Sequence, residues 1–111
     1  VADESQTGFE GQVLQLANLV QYGDGAVVSR TLIKRTTGTL TLFAFDAGQE
    51  LSEHTAPFDA VVQILDGEAL LTIGGKPVTA RQHETVIMPA NIPHAVKATR
   101  KFKMLLTMIR S

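Results

Sequence analysis

Cysteine and tryptophan are both absent from this chain. Without cysteine there is neither a disulfide frame nor a thiolate metal site, and the absence by itself names no redox compartment. Aromatic residues are scarce, with five Phe and a single tyrosine, Tyr22. No sign of charge dominates. The formal net charge is -1 and like charges form no block, so there is no electrostatic footprint for a polyanion, and nucleic-acid binding is not expected. The nearest thing to a basic run, Lys97, Arg100, Lys101 and Lys103, alternates with small or apolar residues and reads as a solvated turn and strand edge. No apolar run approaches the roughly 20 residues of a membrane span. The opening residues Val1-Ala-Asp-Glu-Ser are acidic, unlike a secretion leader, so a soluble cytoplasmic protein is expected.

What is present suits one folded unit. A chain of 111 residues with 44% hydrophobic content is ordinary for a domain that buries a single core. Residues 1–10 read as a mobile tail and residues 11–111 as the domain. The punctuation is that of many short strands. Val27 to Lys34 and Thr39 to Phe45 are rich in β-branched and aromatic residues, with a turn signal at Arg35-Thr-Thr-Gly38 between them. Val61 to Leu65 ends at Asp66-Gly67, a dipeptide that favours a hairpin turn. Leu70 to Ile73, Gly74-Gly75 and Lys76 to Thr79 give a second hairpin signal, and Thr85 to Met88, Ala95 to Ala98 and Phe102 to Ile109 complete the set. Strands this closely spaced, joined by tight turns, predict an all-β sandwich or barrel. Val13 to Tyr22 reads as a short strand followed by a helical turn.

Two segments carry more specific information. The first runs Gly48-Gln-Glu-Leu-Ser-Glu-His54-Thr-Ala56-Pro-Phe-Asp-Ala60 and on to Gly67; the second is Pro89-Ala-Asn91-Ile-Pro-His94-Ala-Val-Lys-Ala98. Together they resemble the two motifs of the cupin family, which build a metal site inside an antiparallel double-stranded β-helix, or jelly-roll, barrel. Gly48, His54, Gly67, Pro89 and His94 sit on the family frame. Ala56 stands where the frame has a second His, Ala60 where it has a glutamate, and His83, Asn91 and Ala98 replace two glycines and an asparagine. The resemblance implies a cupin-like barrel and leaves two of the four usual metal ligands, His54 and His94. It implies no single activity, because the family spans many. Small cupins of this kind pair through sheet edges, so a homodimer sharing the strands near Val13 to Leu16 and Val27 to Ile33 is also expected, and pairing would remove unpaired edge groups.

Strand alternation places a pocket independently of the frame. His54 and Ala56 fall on one side of a strand, and Ala60, Val62 and Ile64 on one face of the next. With His94 completing it on the far side, as the family frame implies, the expected pocket wall is His54, Ala56, Ala60, Val62, Ile64 and His94. Asp59 neighbours Ala60 and faces away, so it does not replace the missing carboxylate. A divalent transition metal, whether Zn, Ni, Cu, Fe or Mn, accepts imidazole nitrogen, but two ligands hold it weakly, and no motif singles out a third among Glu53, Gln63, the Val27 to Lys34 strand or a neighbouring subunit.

Two functional classes follow. An apolar barrel pocket with two imidazole handles suits a small-molecule ligand in a binding or sensing protein. The alternative is an enzyme of dioxygenase or isomerase type working with two His ligands, or metal-free with one imidazole as general acid or base. A sugar-nucleotide epimerase is disfavoured: Tyr22 lies far from the motifs, and Arg30, Arg35, Arg81, Arg100 and Arg110 are dispersed. His83 reads as an exposed turn residue, and Met88, Met104 and Met108 read as flexible core filler.

Overall fold

A computed structural model describes residues 9–110. Its regular structure is almost entirely eight antiparallel strands: β1 Val27–Arg35, β2 Gly38–Phe45, β3 Glu50–His54, β4 Asp59–Ile73, β5 Lys76–Arg81, β6 Thr85–Met88, β7 His94–Lys97 and β8 Phe102–Ile109. The hydrogen-bonded order is β1-β2-β8-β4-β7-β3, with β5 and β6 also paired to β4. The jelly-roll barrel expected from the sequence is therefore present. No helix among the described residues is long and apolar enough to cross a membrane.

The organising element is β4, which belongs to both halves of the barrel. Its first part lies between β6 and β8, and its last part lies between β5 and β7. The sequence predicted a turn at Asp66-Gly67; instead the strand runs through. The register against β8 slips between Ile64 and Asp66, leaving Leu65 as one extra residue. An extra residue reverses the faces of all that follow. Accordingly the buried residues of β4 are Ala60, Val62 and Ile64 before the slip, and Ala69 and Leu71 after it. Gly67, at φ +72, sits where a Cβ would collide with the Lys101 carbonyl oxygen, so the bend needs glycine at this point. The positive φ that suggested a hairpin is used to fold a sheet onto itself.

Two apolar clusters lie on opposite faces of the β1-β2-β8 sheet. Inside the barrel, Phe45 and Phe102 stack with ring centroids 4.5 Å apart, beside Val62, Ile64, Leu71 and Met104. Outside, Val20, Leu32, Leu42, Ala44 and Leu105 pack against Leu16, Leu19 and Tyr22 of the N-terminal segment. That segment holds a short 3-10 turn at Leu16–Asn18 and none of the strand expected between Val13 and Tyr22. Its backbone is satisfied by side chains of the barrel instead: the Lys103 ammonium donates to the Ala17 carbonyl at 2.6 Å and Arg30 donates to the Leu19 carbonyl at 3.1 Å. Of the tail expected over residues 1–10, residues 1–8 lie outside the described residues, while Phe9 packs against the outer cluster with the Arg30 guanidinium 5.0 Å above its ring.

Candidate functional site

The barrel interior opens at the end where β3 meets β7. The register there pairs Leu51 with Val96 and His54 with His94, so β3 carries one more residue than β7 between the two pairs. This bulge decides which side chain enters the site. A regular strand with Leu51 facing inward would turn Glu53 inward as well; the extra residue brings His54 round in its place. Both Leu51 and His54 line the same cavity, three positions apart.

The two imidazoles meet edge to face, with ring centroids 4.4 Å apart and an interplanar angle of 69°. Each is tied by its own backbone. The His54 Nδ1–H donates to the Ser52 carbonyl at 2.8 Å, and the His94 Nδ1–H donates to the Ile92 carbonyl at 3.1 Å. A carbonyl oxygen only accepts, so in the neutral ring the proton sits on Nδ1 and the lone pair on Nε2. The pair thus offers two imine nitrogens of matched tautomer. The rings differ in burial: His94 is 5% exposed, and His54 stands at the solvent side.

The loop that delivers His94 is held at several points. The Asn91 N–H donates to the Ala56 carbonyl at 2.8 Å, the Ala90 N–H donates to the Asp59 carboxylate at 2.9 Å, and the Gly74 N–H donates to the Pro93 carbonyl at 2.8 Å. Asp59 is therefore an anchor for this loop. Among the described residues, His83 and Asn91, at the positions where the family frame has glycine, are the non-glycine residues with positive φ, at 72° and 63°. The local backbone keeps the conformation that glycine serves elsewhere, and Asn tolerates it better than most residues.

The cavity behind the histidines measures about 40 Å³. His54, His94 and Ala60 share it with Met88, Met104 and Met108, and Leu51, Val96 and Leu106 close it. Among the described residues no charged side chain lines it. The residues expected at the pocket wall divide three ways. His54, Ala60 and His94 come together at the cavity. Val62 and Ile64 lie further along the same face of β4 and are fully packed in the core. Ala56 lies beyond the end of β3, so the alternation that paired it with His54 does not extend to it, and it is not among the lining residues. The three methionines are buried or half-buried, as packing residues are, but their convergence on the histidine cavity was not foreseen. The alternation Met104, Leu106, Met108 along β8 was readable; the arrival of Met88 on the same cavity required the strand register.

Tyr22 takes no part in this site. It belongs to the outer cluster, and its hydroxyl donates to the Asp66 carboxylate at 2.6 Å. Burial, then the hydrogen bond to Asp66, then that carboxylate's charge raise its phenol well above the usual range. Lys101 and Lys103 place their ammonium groups 5.3 and 5.0 Å from the centre of the same ring.

A small antiparallel barrel closed around an internal cavity, with paired imidazoles at its mouth, defines the class of protein. A family model described as the cupin domain matches residues 41–110. The chain belongs to the cupin family. Among solved structures it is similar to a conserved protein of unknown function from Streptococcus pyogenes, with 39% identity over 91% of this chain and 89% of that one, at a TM-score of 0.87. A cupin 2 conserved barrel domain protein from Leptotrichia buccalis is 41% identical over 87% of this chain, which spans 47% of that protein, at a TM-score of 0.85. A cupin superfamily protein from Desulfitobacterium hafniense is 27% identical over 92% and 94% of the two chains, with a TM-score of 0.86. A comparison with curated proteins found no match.

The divalent metal centre that the family implies does not fit these residues. Its four positions are His54, Ala56, Ala60 and His94, so two donors are methyl groups. Among the described residues no group of three or more His, Cys, Asp or Glu is placed to hold a metal ion. Zinc and similar ions in proteins take three or four such ligands.

Proposed function

We propose that this cupin is a binding or sensing protein for a small ligand, with His54 and His94 as its polar handles. The observation that carries the reading is the matched pair: two imidazoles 4.4 Å apart, each locked with Nε2 as an acceptor, on a cavity whose remaining walls are apolar. Such a site selects a ligand that brings one group able to engage two lone pairs and otherwise little polarity. The volume sets a second condition. At about 40 Å³ the enclosed space takes a few atoms, far below the roughly 300 Å³ of a cavity for a drug-sized molecule. Anything larger must extend outward past His54, which faces solvent. A fragment screen by ligand-observed NMR tests the reading: it requires fragments whose binding is lost in both His54→Ala and His94→Ala. A screen in which every hit survives both substitutions would reject it.

The homodimer expected from the family resemblance is part of the same proposal. β1 ends the strand order and, among the described residues, pairs only with β2. Beside it runs an apolar groove of about 340 Å³, lined by Leu14, Leu16, Leu32, Ile33 and Leu40 among others, and Ile33 is 40% exposed. An open edge next to an apolar groove supports pairing of two copies at this side.

A further inference from the structure

The chain has three methionines, and all three line the His54–His94 cavity. Their placement follows from the register. Ala60 pairs with Met88 on one side and with Met108 on the other, so the two thioether side chains flank the position where the family frame has a carboxylate. Met104 lies on the same face of β8, opposite Ile64. Loss of the carboxylate has therefore done more than delete a donor. It has exchanged a hard, anionic oxygen for a methyl group standing between two soft sulfurs.

The resulting donor set is neutral: two imine nitrogens and up to three thioethers, with no anion to balance a doubly charged ion. Thioether sulfur and imidazole suit a soft cation, and among biological metals thioether selects monovalent copper. The geometry points to Cu(I) as the ligand of this cavity, held by Nε2 of His54 and His94 together with the sulfur of Met88 or Met108. This assignment rests on the reading above that the histidine cavity is the binding site. Three observations agree with it. The cavity of about 40 Å³ suits a single ion. Both rings already present Nε2 without a change of tautomer, so binding displaces no proton from them. Met88 is almost fully buried, so a candidate sulfur stands on the side of the cavity away from solvent.

The test uses the full chain, purified without a histidine tag and titrated anaerobically with Cu(I) held by bicinchoninate. The expected result is one Cu(I) withdrawn per chain, with copper-edge X-ray absorption showing both sulfur and nitrogen neighbours. The volume-conserving double variant Met88→Leu/Met108→Leu should weaken Cu(I) binding by at least about tenfold while its thermal midpoint stays near that of the parent. His94→Ala should weaken it at least as much. Failure to take copper from bicinchoninate, or a copper spectrum free of sulfur neighbours, overturns the assignment, and the spectrum is taken on the unmodified chain so that a poorly folding variant does not blunt it. Equal binding by the folded double variant overturns it too. If Cu(I) is refused while fragments still bind in a histidine-dependent way, only the assignment fails. If neither copper nor any fragment depends on His54 or His94, the underlying reading fails with it.

Discussion

His54 and His94 stand directly opposite each other across β3 and β7, and they do so because β3 carries one extra residue between Leu51 and His54. One ring is buried and the other exposed, so the two histidines have unequal structural weight.

Replacing His94 should therefore cost stability where replacing His54 does not. His94→Ala removes a buried ring and its hydrogen bond to Ile92, and a loss of about 1 to 3 kcal/mol is expected. His54→Ala, at an exposed position, should stay within about 0.5 kcal/mol of the parent. Urea unfolding of both variants measures the difference. Equal losses would contradict the placement of the two rings.

Gly67→Ala should be among the most damaging small substitutions in the chain. It combines a φ of +72 with a collision against the Lys101 carbonyl, and about 2 to 4 kcal/mol of destabilisation is expected. His83→Gly should act the other way, because it relieves a left-handed conformation at an exposed residue, raising stability by up to about 1 kcal/mol. Denaturant midpoints on the two variants decide both signs.

Tyr22 makes the fold sensitive to alkali. Its phenol is raised in the folded state, so the stability it contributes is fully present below the ordinary tyrosine range near about pH 10 and is lost as pH rises beyond it. Tyr22→Phe should lower stability by about 1 kcal/mol near neutral pH through loss of the bond to Asp66, and it should flatten the decline between pH 9 and 11. Unfolding curves across that interval provide the check, and an unchanged slope would remove Tyr22 as the cause.

At micromolar concentration, light scattering should report a dimer for the parent chain and a monomer for Ile33→Glu, which puts a charge beside the open edge of β1. A monomeric parent would sink the homodimer proposal.

The Cu(I) assignment makes a further demand on redox chemistry. Peroxide strong enough to convert the nearly buried Met88 as well as the half-buried Met108 to sulfoxides should abolish Cu(I) withdrawal from bicinchoninate, since a sulfoxide no longer offers a thioether lone pair. Mass spectrometry locates the oxidised residues, and retained copper binding after their oxidation would count against the sulfur ligands.

Much of the architecture was written in the sequence by itself. Alternating β-branched and apolar residues, with turn signals between them, determined an all-β sandwich or barrel, because side-chain periodicity and turn chemistry are local properties of the chain. The resemblance of the spacing around Gly48, His54, Pro89 and His94 to the cupin motifs singled out the two histidines that meet at the cavity. What only the tertiary structure decided is everything that depends on register. The Asp66-Gly67 pair became a bend within one long strand, since a bulge exists only relative to a partner strand. The extra residue in β3 chose His54 over Glu53, and the end of that strand left Ala56 outside the cavity. Met88 met Met108 across Ala60 because β6 and β8 pair with the same stretch of β4, a neighbourhood that no pattern along the chain records.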